Sequence, residues 1–158
     1  MSSLQPERYE HGRPMLFAGI RRKHAFASMS TDIPRQWDDF AKLGALPRQV
    51  GLTAYGAICG GDPQTQTMEY MCAVEVETFD ELPKGLGRMR VPAVRYAVFV
   101  HAANVAAIQR TWQDILSQWL PGSGLRSANT PDFEVYNERF NGKTGEGGVE
   151  IWLGVQPA

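Results

Sequence analysis

The chain has 158 residues, 43% of them apolar and 21% charged, with a formal net charge of -1 at pH 7. That length and composition fit one globular domain with a sizeable core and exclude a disordered or fibrous chain. No run reaches the roughly 18 apolar residues needed to cross a bilayer, and residues 1–14 carry charges where a signal peptide would be apolar, so a cytoplasmic protein without membrane contact is expected.

The balanced charge supplies no basic stripe to neutralise a phosphate backbone, so direct nucleic-acid binding is not expected. The short basic runs Arg21, Arg22, Lys23 and Lys84, Arg88, Arg90 read as solvated faces. Cys59 and Cys72 form no CxxC pair and His11, His24 and His101 are scattered, so no metal or cofactor is implied. No catalytic triad, phosphate loop or dinucleotide fingerprint is present in the sequence.

In chain order, residues 1–13 are polar and predicted to be frayed, and 15–21 alternate as a first strand. A short amphipathic helix follows, with Thr31 and Asp32 as candidate caps, Pro34 in its first turn, and Ile33, Trp37, Phe40 and Ala41 at helical spacing, ended by Gly44 and Pro47. Residues 48–55 alternate with Val50, Leu52 and Ala54 on one side. A Gly-Gly-Asp-Pro loop at 60–63 and a strand over 68–76 complete a hairpin whose sheet is expected to be half-buried on one side. Pro83, Gly85, Gly87 and Pro92 divide the chain near its middle.

The pattern then starts again. Residues 95–101 form a strand, and Asn104 caps a helix striped by Val105, Ile108, Trp112, Ile115, Leu116 and Trp119 and stopped by Pro121, Gly122 and Gly124. Residues 133–140 and 149–155 alternate on either side of a glycine-rich loop. Each half reads strand, helix, strand, strand, with Trp37 and Trp112 in similar places on their helices. The expectation is one domain over 1–158 with internal repeats at roughly 14–78 and 88–157.

In the last hairpin, Phe133 and Val135 with Val149, Ile151, Leu153 and Val155 are expected to face the helices, leaving Glu134, Tyr136, Glu138, Glu150 and Trp152 on the opposite side. Two registers fit, one setting Tyr136 opposite Trp152 and one setting Glu134 there. Aromatic rings interleaved with carboxylates suit a flat or cationic organic ligand; the same alternation also describes a plain solvated sheet face. On an apolar helix stripe, Trp37 and Trp112 read first as core.

The second half resembles the GyrI-like, or AraC effector-binding, family. The likeness is carried by RYAVFVHAAN, TWQDILSQWLPGSG, TPDFEVYNERF and GGVEIWLGVQP, and more weakly in the first half by FAGIRRKH, IPRQWDDF and VGLTAYG. The resemblance implies a duplicated α+β fold with an antiparallel sheet, helices on one face and a ligand cleft on the other. It implies a bacterial small-molecule-binding protein related to transcription regulation and multidrug binding. The family's binding glutamates match Glu134 and Glu150, with Trp152 where relatives often carry Tyr. Tyr55, Met71, Tyr136, Trp37 and Trp112 are expected to wall the ligand.

Gly154 stands where relatives usually have Pro, and Ala102 and Ala103 follow a strand His that relatives follow with Gly. No helix-turn-helix segment is seen at either end, so a complete AraC-type regulator is not expected. Some stand-alone relatives resemble hydrolases of strained cyclopropane rings, in which Glu134 would activate water. The family name also points to gyrase inhibition by contact with a protein. Binding and turnover both stay open on the sequence.

Overall fold

A computed structural model describes residues 4–158. The chain forms two compact units, Pro14–Val91 and the described part of Met1–Arg13 together with Pro92–Ala158. Residues 1–3 of the segment expected to be frayed lie outside the described residues. Arg8–His11, by contrast, is a strand (β1) that pairs antiparallel with residues 95–98, which corrects that expectation.

In the Pro14–Val91 unit, strand β2 (Met15–Ala25) leads to helix α1 (Met29–Ala41), then β3 (Gln49–Asp62), β4 (Thr67–Val76) and β5 (Gly87–Val91). The antiparallel order is β3-β4-β2-β5. The helix begins two residues before Thr31, with Ser28 at its N-cap and no side-chain cap, so Thr31 and Asp32 sit inside it.

β3 runs on through Gly60 and Gly61, which pair with Glu69 and Met68, so the turn lies after Asp62 and not at the glycines. Between Gln49 and Ala54 the register shifts, Gly51 takes a φ of 67°, and Leu52 is thrown 94% exposed into solvent. A bulge of this kind breaks the period of two, which is why the predicted alternation with Val50, Leu52 and Ala54 on one side does not hold. β4 is buried on both faces from Tyr70 to Val76, not half-exposed.

One face of this sheet meets α1. Ala18, Val74, Val76 and Leu46 pack there with Phe40, and Gln36 inserts from the helix with no exposed surface, donating to the carbonyls of Ile20 at 2.8 Å and Tyr70 at 3.0 Å. A buried amide is tolerated only when so paired.

The other unit repeats the order. β6 (Arg95–His101) precedes a helical segment that opens as a 3-10 turn over Val105–Ala107, continues as α2 (Ile108–Asp114), widens to a π-turn over Ile115–Trp119 and closes over Leu120–Gly122. Asn104 caps it as predicted, its Oδ1 accepting from Ala106 N at 2.9 Å. The π-turn rotates the apolar stripe, leaving Leu116 48% exposed while Ile115 and Trp119 stay buried.

Strands β7 (Leu125–Ser127), β8 (Asp132–Tyr136) and β9 (Val149–Pro157) follow; β7 had no counterpart in the sequence reading. The antiparallel order is β1-β6-β9-β8, with β7 joining β9 on the side that β8 occupies further along. Ala97, Phe99, Ile151, Leu153 and Val155 form the core beneath Ile108, Ile115 and Trp119. Each unit is thus an antiparallel sheet with a helix on one face, the duplicated α+β architecture expected from the sequence.

Candidate functional site

The pairing of β8 with β9 decides where the predicted residues point. Phe133 lies opposite Trp152, Glu134 opposite Ile151 and Val135 opposite Glu150, which matches neither predicted register. Because Ile151 faces the helix, Glu134 faces it too, and Phe133 turns to the other side with Trp152. The expected phase is therefore reversed for β8 and correct for β9. Glu134 and Tyr136 lie on the helix face, and Glu150 and Trp152 on the opposite one.

On the helix face, Glu134 is only 3% exposed. Its Oε2 accepts from Trp112 Nε1 at 2.8 Å and its Oε1 from the Tyr136 hydroxyl at 2.6 Å. Tyr136 also meets the Phe140 ring edge-on at 4.8 Å between centroids. Hydrogen bonds of this length to a buried carboxylate are what its desolvation requires. Trp112 is half-buried, so an amphipathic ring stands between this carboxylate and the surface.

On the opposite face, Glu150 is 8% exposed and tightly held. Arg8 reaches from β1 to grip it with Nη1 at 3.0 Å and Nη2 at 3.1 Å, Trp152 Nε1 donates at 3.0 Å, and Arg139 stands 3.9 Å away. The Arg8 guanidinium also lies 5.8 Å from the Trp152 ring centre. Burial raises the Glu150 pKa, but the Arg8 and Trp152 hydrogen bonds and the two arginine charges outweigh it and hold the carboxyl below the ordinary range. Beside this pair, Tyr96, Phe133 and Trp152 form a three-ring cluster with centroids 5.3 to 5.6 Å apart.

The remaining predicted residues belong to the Pro14–Val91 unit. Trp37 on α1 donates its indole N–H to the Tyr70 hydroxyl at 3.2 Å. Each helix thus sends one tryptophan N–H to a polar group on its own sheet. Met71 is fully buried on the face away from α1, and Tyr55 shares that face, stacked on Phe17 at 4.6 Å.

Sequence reasoning missed Arg8, Tyr96, Phe133 and Asp132. Arg8 sits in a segment read as frayed, and its partner lies 142 residues away. Phe133 was placed on the wrong face. Asp132, in the same DFEVY run as Glu134, has its carboxyl pushed up to about 7 by burial, against the pull of the Gly154 N–H.

A depression of about 450 Å³ near the π-turn, lined in part by Leu4, Tyr9, Trp119 and Ser123, contains none of the predicted residues and no carboxylate. Among the described residues no cluster of His, Cys, Asp or Glu is placed to hold a metal, and no helix is long and apolar enough to cross a membrane.

Each of the two units is an antiparallel sheet with a helix on one face, and in the second a carboxylate is buried under that helix. Residues 12–155 match the model of the integron-associated effector binding protein (Cass2) family, and the chain belongs to that family. The transcriptional regulator BrlR of Pseudomonas aeruginosa is 37% identical over 89 residues, which cover 56% of this chain and 32% of that protein. A DNA gyrase inhibitor of Erwinia billingiae is 29% identical over 104 residues, covering 62% of this chain and 66% of the inhibitor. The chain thus spans about a third of the first relative and just under two thirds of the second.

Among solved structures, SAV2435 bound to tetraphenylphosphonium superposes with a TM-score of 0.73 at 16% identity, covering 94% of this chain and 93% of that one. The integron cassette protein VCH_CASS2, from the mobile metagenome of Vibrio cholerae, gives 0.66 at 16% identity, covering 98% and 100%. At these identities the superpositions establish the fold.

Proposed function

We propose that the protein is a receptor for lipophilic aromatic cations and that Glu134 is the counter-charge for them. The observation that carries this reading is a carboxylate 3% exposed whose two oxygens accept from Trp112 Nε1 and the Tyr136 hydroxyl, both neutral donors on aromatic rings. A cation entering beside Glu134 would exchange neutral hydrogen bonds for a charge pair and find ring faces around it. The solved relative that holds tetraphenylphosphonium supports the same ligand chemistry.

Glu150 carries a different duty. With Arg8 in a two-point ion pair and over the Trp152 ring, the cation position on that face is filled by the chain itself. Glu150 therefore anchors β1, and of the two glutamates singled out in the sequence we assign Glu134 to the ligand. The protein acts as a sensor or sequestering receptor, as its membership of an effector-binding family suggests.

Titration with tetraphenylphosphonium, followed by tryptophan fluorescence, tests this. Saturable quenching is expected in the wild type, and Trp112→Phe should remove most of the signal. Absence of saturable binding, or quenching that persists in full without Trp112, would contradict the reading.

A further inference from the structure

A second polar cluster lies in the same unit around Gly154 of β9, whose side-chain position is on the face opposite Glu134. The chain between β7 and β8 folds over Gly154: Ala128 N donates to the Gly154 carbonyl at 2.9 Å, and Gly154 N donates to Asp132 Oδ1 at 2.8 Å. A Cβ at Gly154 would stand 2.8 Å from Thr130 Oγ1 and 3.5 Å from Asp132 Oδ1. The missing side chain is what lets these two oxygens sit over the strand.

Gly154 pairs with Tyr96 across β6 and β9. Tyr96 has no exposed surface, and its hydroxyl has no hydrogen-bond partner among the described residues; the buried Thr130 Oγ1 has none either. Burial first, and then the nearby Asp132 charge, together raise the Tyr96 pKa to about 12. Two buried hydroxyls without partners beside a buried carboxyl are costly to leave so, and such groups are retained where something else completes them. The adjoining Tyr96, Phe133 and Trp152 rings add an aromatic wall, of which Trp152 is the part that reaches solvent.

One carboxylate and two hydroxyls accept hydrogen bonds from a group that carries several donors and a positive charge. A primary ammonium does so; a quaternary ammonium or a phosphonium has no N–H to give. We propose that Asp132 and Thr130, gathered over Gly154, together with Tyr96 on the strand paired with it, form a subsite for the protonated primary amine of an aromatic ligand whose ring lies against Trp152. This rests on the reading of the protein as a receptor for organic cations, but uses none of the groups assigned to Glu134.

The test is calorimetric titration with tryptamine and with its N,N,N-trimethyl analogue, at mildly alkaline pH where Asp132 is ionised, on wild type, Tyr96→Phe and Asp132→Asn. The wild type is expected to hold tryptamine about tenfold more tightly than the trimethyl compound, and each variant should erase that preference. Tyr96→Phe removes only a buried unpaired oxygen, so its melting temperature should equal or exceed that of the wild type. Equal affinity for the two amines, retention of the preference in both variants, or no tryptamine binding by a wild type that still binds tetraphenylphosphonium would overturn the proposal. Loss of tetraphenylphosphonium binding by the wild type would instead count against the broader receptor reading.

Discussion

Glu134 and Glu150 lie on adjacent paired strands and face opposite sides of one sheet, because it is Val135 that pairs with Glu150. One carboxylate is held by neutral ring donors under a helix, and the other by a guanidinium from β1. Two glutamates that look alike in the sequence are therefore set for different work, and their variants should behave differently.

Arg8→Ala should destabilise the protein by about 1 kcal/mol, a figure held down by solvent screening because the Arg8 side chain is 38% exposed. For a chain of this length that is a fall of roughly 2–4 °C in melting temperature. The sign with pH follows from the lowered Glu150 pKa: its stabilisation is complete above the unfolded value of 4.5 and is lost as pH falls through the lower folded value. Denaturant titrations across that range should show a weaker acid-side loss in Arg8→Ala than in the wild type. Identical profiles would show that the pair contributes nothing.

Gln36→Leu should cost on the order of 3 kcal/mol in equilibrium unfolding. It leaves the Ile20 and Tyr70 carbonyls and the His24 ring, 2.5 Å from Gln36 Oε1, without their buried partner. A loss below about 0.5 kcal/mol, the scale of an ordinary surface change, would mean that other groups satisfy those atoms.

Asp132 should make the folded state less stable as pH rises from its unfolded value of 3.8 toward about 7. In that window the unfolded carboxyl is ionised while the folded one still holds its proton, so each step up in pH favours unfolding. Asp132→Asn keeps an oxygen for the Gly154 N–H and removes the titration. It should be more stable than the wild type near pH 8, by on the order of 2–4 kcal/mol, and the two should converge toward pH 4. Parallel stability curves for the two proteins would contradict this.

The order of elements was legible in the sequence because each helix carries a strong apolar stripe and each main strand alternates. Asn104 and the glycines after each helix marked their ends. The facing of β8 was not legible, for a physical reason. In β8 and β9 both faces are buried, with Phe133 at 1% and Ile151 at 0% on opposite sides and Glu134 at 3%, so polarity no longer reports which face meets the helix. The family likeness picked out Glu134 and Glu150 but carried no information on their facing. Arg8 was invisible for another reason: an ion pair across 142 residues leaves no local pattern. The bulge that exposes Leu52 and the π-turn that exposes Leu116 both break a period that sequence reading assumes.

The most direct test of the central claim compares tetraphenylphosphonium binding by wild type, Glu134→Gln and Glu150→Gln in calorimetric titrations. Loss of the Glu134 charge should weaken binding by about 1.5–3 kcal/mol, or roughly ten- to a hundredfold, while Glu150→Gln should stay within about threefold of the wild type. Unchanged affinity in Glu134→Gln, or a larger loss in Glu150→Gln, would place the ligand on the other face of the sheet and contradict the account.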